Sequence, residues 1–372
     1  KHCITHKQTV IMKNIFTRNL LIAACCLVFP AGMSAQFSGS GSGTKEDPYR
    51  IFNADQLNQV RNFLGTSYVY FSLEADIDMT GWIAENNPSQ GWLPIGDINS
   101  SFSGKFNGNG HTISNLWINR PNTNYIGLFG SLEDPAEIQN IKLENAEYIG
   151  YMYIGGIAGY LDDNSIISDC VFKGILTGNS EIGGICGDNF NSEISSCYSY
   201  SIITGVSALG GICGYNYYTD ITNSYSNGRI KGNEAVGGIV GSCDKSIGYI
   251  DNCYSNNFVI IGNEYVGGII GKANTNAPRT TNCVSINEMI SSKGDLYRIS
   301  NILSNTNNLA WTLTQMFLNG VKQPIPDDSS ENGINTGLSA LKLQATYEGL
   351  GWDFSSTWKI EETESFPYFQ TQ

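Results

Sequence analysis

Histidine is nearly missing from this chain: there are three in 372 residues, and two of them, His2 and His6, precede what reads as an export segment. His111 alone is left for the mature protein, so the multi-imidazole sets of zinc hydrolases are excluded, and neither His-Glu-x-x-His nor Cys-x-x-Cys spacing occurs. The reading therefore contains no metal and no cofactor. Basic residues are scarce too. The first 35 residues hold Lys1, Lys7, Lys13 and Arg18 with no acid, which leaves 17 basic against 34 acidic residues and argues against a nucleic-acid partner. No run approaches the roughly 20 apolar residues needed to span a bilayer. Only 15% of the chain is charged while 42 residues are glycine, in a chain longer than one compact core favours; repetition is the better expectation.

Residues 13–35 have the grammar of a secretory signal: Lys13 and Arg18, an apolar run from Leu20 to Pro30, then Gly32-Met33-Ser34-Ala35 before Gln36. Met12 is the expected start, with Lys1 to Ile11 as upstream sequence. Reading Ile22-Ala23-Ala24-Cys25 as a lipobox would leave only Leu20 to Ala24 as the apolar region, so a lipid anchor is the less favoured route. The product is expected outside the cytoplasm, extracellular or on the outer cell surface, with the periplasm as an alternative.

What is abundant is self-similarity. Gly-Gly-Ile opens at Gly155, Gly183, Gly210, Gly237 and Gly267, at spacings of 28, 27, 27 and 30 residues. Aligning the copies gives five columns of apolar or small residues. These are Ile154, Ile182, Leu209, Val236 and Val266; then Ile157, Ile185, Ile212, Ile239 and Ile269; then Ile167, Ile194, Ile221, Ile250 and Thr280. Cys170, Cys197, Ser224, Cys253 and Cys283 make the fourth, and Leu176, Ile203, Ile230, Val259 and Met289 the fifth. Short β-branched runs punctuated by Gly and Asn are strand signals, and 27–30 residues accommodate three short strands and three turns. The expected fold is all-β, a right-handed parallel β-helix with rungs about 4.8 Å apart and short helical N- and C-terminal caps. One rung cannot bury its own apolar face, so copies must stack and both ends need covers. The recurrent glycines are expected at corners of positive φ or of close approach between rungs.

Four segments follow: 1–35 upstream sequence and signal, 36–125 an N-terminal cap helix and first coils, 126–300 the repeats, and 301–372 a last coil and capping segment. Asn53 to Leu64 suits a short amphipathic helix with Asn53 as N-cap. Tyr68 to Leu73 and Phe102 to Leu116 read as strands, with turns at Asn107-Gly108-Asn109-Gly110. Ser339 to Tyr347 reads as a second brief helix, and Trp352, Trp358, Phe366, Tyr368 and Phe369 as an aromatic lower lid. Gln323 to Thr336 is the best loop.

These residues resemble the bacterial GLUG-motif proteins. The matching stretches are Gly127-Leu128-Phe129-Gly130, Gly156-Ile157-Ala158-Gly159, Gly184-Ile185-Cys186-Gly187, Gly211-Ile212-Cys213-Gly214, Gly238-Ile239-Val240-Gly241 and Gly268-Ile269-Ile270-Gly271. The resemblance implies a secreted or surface-attached β-solenoid, often adhesin-like. Similar repeats accompany the catalytic part of some IgA1-cleaving zinc peptidases, whose histidine motif this chain lacks, so that role is not carried over.

Candidate chemistry is sparse. His111 follows an Asn-Gly turn and reads as a hydrogen-bonded turn residue. Asp76 and Asp78 share a strand face and could serve as a carboxylate pair, against the plainer reading of turn-bonding acids. Glu74, Asp162, Asp163, Asp188 and Asp220 read as scattered. Stacking places Cys170 over Cys197, Cys186 over Cys213 and Cys253 near Cys283; the Ser224 replacement favours buried thiols over disulfides. Tyr198, Tyr225 and Tyr254 form an outward aromatic column able to bind sugar rings or a partner protein, or merely to stabilise the ladder. The leading expectation is a non-enzymatic surface solenoid for adhesion or recognition of glycans or host proteins. A polysaccharide-active β-helix and a structural spacer are the alternatives.

Overall fold

The computed structural model describes residues 37–244, 248–274, 279–301 and 305–370. The signal segment and the residues upstream of it lie outside the described residues. From Gly39 onward the chain forms one compact unit, wound as a parallel β-solenoid, and the crossover rule gives it a right-handed sense. Each central coil contributes four strands, one more than the sequence suggests. One coil runs Cys213–Tyr217, Asp220–Thr222, Tyr225–Lys231 and Glu234–Gly237. Stacking these strands builds a nine-stranded ladder from Tyr49–Ile51 to Arg279–Thr281, two six-stranded ladders, and a long ladder of fourteen strands.

The extra strand arises at the Gly-Gly-Ile step. There the chain leaves one six-stranded ladder and enters the other within two residues, too sharply to leave room for a Cβ. A Cβ on Gly210 would lie 1.9 Å from the Cys213 carbonyl oxygen, and one on Gly184 would lie 2.0 Å from Ser199 Oγ. These glycines have no positive φ; close approach is what requires them. Left-handed residues recur two positions before the step, at Tyr153, Glu181, Ala208, Ala235 and Tyr265, and at a corner between the nine-stranded and the long ladder. Asn140, Asp169, Ser196, Asn223, Asn252, Asn282 and Asn307 occupy it, with φ between 47° and 56°. Short polar side chains, asparagine above all, tolerate that conformation best among residues with a Cβ.

The interior is filled by the aligned columns, in register from coil to coil: Ile154, Ile182, Leu209, Val236 and Val266 pair in sequence and all are fully buried. The fifth column needs correction. A register shift between Gly228 and Arg229 aligns Ile230 with Ile260, and Ile260 with Ile290, so Ile260 and Ile290 fill the core. Val259 and Met289 fall outside it, because one of the three extra residues of the longest repeat is absorbed as a β-bulge.

At the N-terminal end the helix Ala54–Gln59 is capped by Asn53, whose side chain accepts from the Gln56 amide, and continues as the 3-10 turn Val60–Phe63. Leu57, Val60 and Phe63 are buried, with Phe63 against Phe71 of the first rungs at 5.4 Å. A helix at Thr80–Asn86 has no counterpart in the sequence reading; it buries Ile83, and its Trp82 packs on Trp92 at 5.5 Å. At the far end, buried Arg298 takes the slot of the second glycine of the motif and bonds Asn335 Oδ1 at 2.7 Å. The brief helix Gln344–Glu348 follows a 3-10 turn at Ala340–Lys342. The aromatic finish packs against the outer face of the long ladder. Leu341, Tyr347, Trp352, Trp358 and Phe369 form a cluster with Tyr225 and Tyr254.

Candidate functional site

The tyrosine column expected to meet a ligand exists as a stack. Tyr198 and Tyr225 lie 4.3 Å apart and Tyr225 and Tyr254 4.7 Å apart, the latter pair with nearly parallel rings. Its occupant is the chain itself. Tyr225 and Tyr254 are buried beneath the carboxy-terminal segment, the Tyr254 hydroxyl donates to the Pro367 carbonyl oxygen at 2.5 Å, and Trp352 Nε1 donates to Asn282 O at 2.9 Å. Of the three, Tyr198 alone keeps substantial exposure. Evenly spaced aromatics on a sheet face suit a protein segment as well as a ligand, and only the tertiary path of residues 340–369 decides between them.

The acids singled out from sequence take the plain role. Asp76 Oδ1 accepts from His111 Nδ1 at 3.1 Å and from the Thr112 amide at 2.9 Å. Asp78 Oδ1 accepts from Thr80 and from Asn115 Nδ2, and those hydrogen bonds hold its carboxyl down at about 2. Both are engaged in shaping their turns. Glu74 accepts from Ser72 Oγ at 2.7 Å and Asp220 from the Tyr249 amide at 2.7 Å.

A different pair is brought together. Because the chain folds back at Gly183-Gly184-Ile185, the residues on either side of the motif, Glu181 and Asp188, come to lie on the two six-stranded ladders of one coil. Glu181 Oε2 and Asp188 Oδ1 are both shielded from solvent and have no hydrogen-bond partner among the described residues. Burial, with the charges of Glu181 and Asp162, pushes Asp188 up to about 8; burial pushes Glu181 up to about 7. Near neutral pH both carboxyls therefore hold protons that an exposed acid would have lost. Tyrosines surround them. Tyr125 and Tyr153 stack at 4.8 Å, and Tyr160 meets both edge-on at 6.0 and 6.2 Å. Asp188 pairs in register with Tyr160 on one side and Tyr215 on the other, and the Tyr215 hydroxyl donates to Asp244 Oδ2 at 2.5 Å. Burial and the charges of Glu181 and Asp188 raise Tyr153 to about 12. Further along, Lys272 pairs with Glu234 at 2.7 Å and sits 4.6 Å over the Tyr265 ring. The outcome is a tyrosine and carboxylate strip running along the solenoid axis.

Sequence reasoning set Asp188 among scattered acids and passed over Glu181. The available signal was positional: in one copy, acids flank both ends of the motif, in slots where the other copies hold Tyr153, Ala208, Ala235 or Tyr265 on one side and Tyr160, Tyr215, Ser242 or Lys272 on the other.

All seven cysteines among the described residues are buried free thiols. Cys186 and Cys213 are register partners, and Cys170, Cys197 and Cys283 each donate to the carbonyl two residues earlier, at 3.1 to 3.2 Å. Burial raises the thiols of Cys186, Cys197, Cys243 and Cys283 and so suppresses the reactive thiolate. Alkylation followed by peptide mapping should therefore find these seven protected in the folded protein and modified only as denaturant unfolds it; modification under native conditions would contradict the packed interior. Among the described residues no three His, Cys, Asp or Glu side chains converge to hold a metal, and no helix is long and apolar enough to cross a membrane.

Comparison with known proteins agrees with this architecture. The GLUG motif family matches residues 150–177 and 205–231. A protein of Evansella cellulosilytica named "Putative Gly-rich membrane protein" is 39% identical over 163 residues, 41% of this chain and 18% of that protein. Halomucin of Haloquadratum walsbyi is 35% identical over 152 residues, 40% of this chain and 2% of that protein. The chain thus matches less than a fifth of the length of either relative. A solved structure titled as a "putative immunoglobulin A1 protease from Bacteroides ovatus" superposes with a TM-score of 0.60 over 91% of this chain and 96% of that one, at 24% identity, a likeness of fold. The chain is thus a β-solenoid that carries GLUG motifs at residues 150–177 and 205–231, where the Gly-Gly-Ile spacing and bends recur.

Proposed function

We propose that this chain is a surface-displayed recognition solenoid whose strip of tyrosines and paired carboxylates engages an extended glycan. The observation that carries the reading is the strip's continuity: Tyr160, Asp188 and Tyr215 are register partners in successive coils, so their side chains repeat at the ladder spacing of about 4.8 Å. Aromatic faces beside half-buried carboxyls suit a ligand carrying both C–H faces and hydroxyl donors. The signal-like segment, and relatives named as a membrane protein and a halomucin, support a place at the cell surface. One observation favours a second reading. Two desolvated carboxyls raised toward neutral pH are what a polysaccharide-cleaving enzyme would draw on for acid and base.

One experiment separates the readings. The protein is applied to a glycan array and, in parallel, incubated with a polysaccharide panel monitored for new reducing ends and unsaturated sugars. Array binding that falls about tenfold on Tyr153→Ala, with no products formed, is the expected result. Products that vanish on Glu181→Gln would make the chain an enzyme. Silence in both assays would overturn both readings and leave a structural spacer.

A further inference from the structure

A second candidate site lies on a different face and does not depend on the strip. Where the left-handed corner meets the end of the carboxy-terminal segment, a cleft of about 330 Å³ opens, within the usual range for small-molecule sites of roughly 300–1,000 Å³. Its floor is made by corner residues of successive coils, Asn140, Asp169 and Ser196, together with Lys142. Lys142 and Val171 belong to the same register column as Tyr198 and Tyr225, so the cleft is the uncovered continuation of the tyrosine column. Phe369 supplies the wall, fixed by an edge contact with Tyr225 at 5.0 Å and by strand pairing with Trp358.

The chemistry of this lining selects its ligand. Lys142 and Asp169 cancel in charge and neither forms an ion pair among the described residues, so the cleft favours neither a polyanion nor a polycation. An apolar occupant would strip water from an amine, an amide, a hydroxyl and a carboxylate without replacing its hydrogen bonds. A ligand with hydroxyls around its edge and an apolar C–H face satisfies all of them at once. We propose that this cleft is a subsite for a neutral pyranose ring, its face on Phe369 and its hydroxyls on Asn140, Lys142, Asp169 and Ser196. The carboxy-terminal segment then has two roles, covering the tyrosine stack and completing a sugar site.

The test is calorimetric titration of the full chain with neutral cello-, manno-, galacto- and chito-oligosaccharides. Saturable binding of at least one is expected, weakened about tenfold by Lys142→Ala and by Asp169→Asn and unchanged within about twofold by Leu313→Ala, an exposed position in neither the cleft nor the strip. Because Phe369 also packs on Tyr225, the decision rests on Lys142→Ala and Asp169→Asn, which leave that cluster intact; Phe369→Trp should retain binding. No binding across the panel, or affinities unmoved by both substitutions, would overturn the cleft. Binding lost in Tyr153→Ala but intact in Lys142→Ala would overturn it while leaving the strip reading in place.

Discussion

Asp188→Asn should stabilise the protein at pH 8 and above, by about 3–5 kcal/mol, and change it little near pH 4. The folded carboxyl is raised to about 8, chiefly by burial, whereas the same group in an unfolded chain ionises near 4. Between those values the native state holds a proton that unfolding releases, so stability falls as pH rises through this window. Glu181, raised to about 7, acts in the same direction. At the acid end the sign reverses. Asp78 and Asp353 are held down at about 2, Asp78 by Thr80 and Asn115 and Asp353 by Ser355 and Ser356, and what they contribute is lost as pH drops below about 4. Stability of the native protein should therefore peak between about pH 4 and 6. Urea unfolding at pH 5, 7 and 9 checks this; a difference between wild type and Asp188→Asn that did not grow with pH would show that Asp188 is solvated.

What could be read from the sequence, and what could not, divides along the range of the interactions. The interior columns were legible because each coil repeats the same local problem, and the Gly-Gly-Ile spacing fixes which residues stack. Within that frame the misplacements are local. The register shift that brings Ile260 and Ile290 inward needs one extra residue in one strand, which counting along the chain cannot locate. The fourth strand was missed because two glycines read as a turn, whereas they make a bend sharp enough to begin a new ladder. Asn107 to Gly110 likewise reads as a turn, and it forms the left-handed corner of an early coil, with Asn109 at φ 50°. The cover over Tyr225 and Tyr254 was not legible at all. It joins residues more than a hundred positions apart, as in the hydrogen bond from Tyr254 to Pro367, and no periodicity encodes such a contact. The pairing of Glu181 with Asp188 lies between these extremes. Both flank one motif, but their juxtaposition follows only once the bend between them is known to reverse the chain.

That bend is also where one methyl group should do the most harm. A Cβ on Gly237 would lie 1.9 Å from the Val240 carbonyl oxygen and 2.6 Å from the Gly271 amide nitrogen of the next coil. Both are backbone atoms, held by the ladder pairing of Val240 with Ile270 and by the run of bonds from Gly238 to Ile270, so no rotamer change relieves the clash. Gly237→Ala should cost more than about 4 kcal/mol, beyond the usual range for single substitutions. Gly337→Ala is the matching control: its Cβ would meet nothing within 4 Å and its φ is not positive, so its effect should stay within about 0.5 kcal/mol. The form of the loss is informative as well. A solenoid is stabilised by contacts between neighbouring coils, so weakening one interface in the middle uncouples the coils on either side. Because the aromatic cover bridges the weakened interface, touching Tyr225 before it and Tyr254 after it, chemical denaturation of Gly237→Ala should show a broadened transition at a lower midpoint. A single transition at the wild-type midpoint would mean that the coils can move apart to admit the methyl group, and the close approach would no longer explain why glycine recurs at this step.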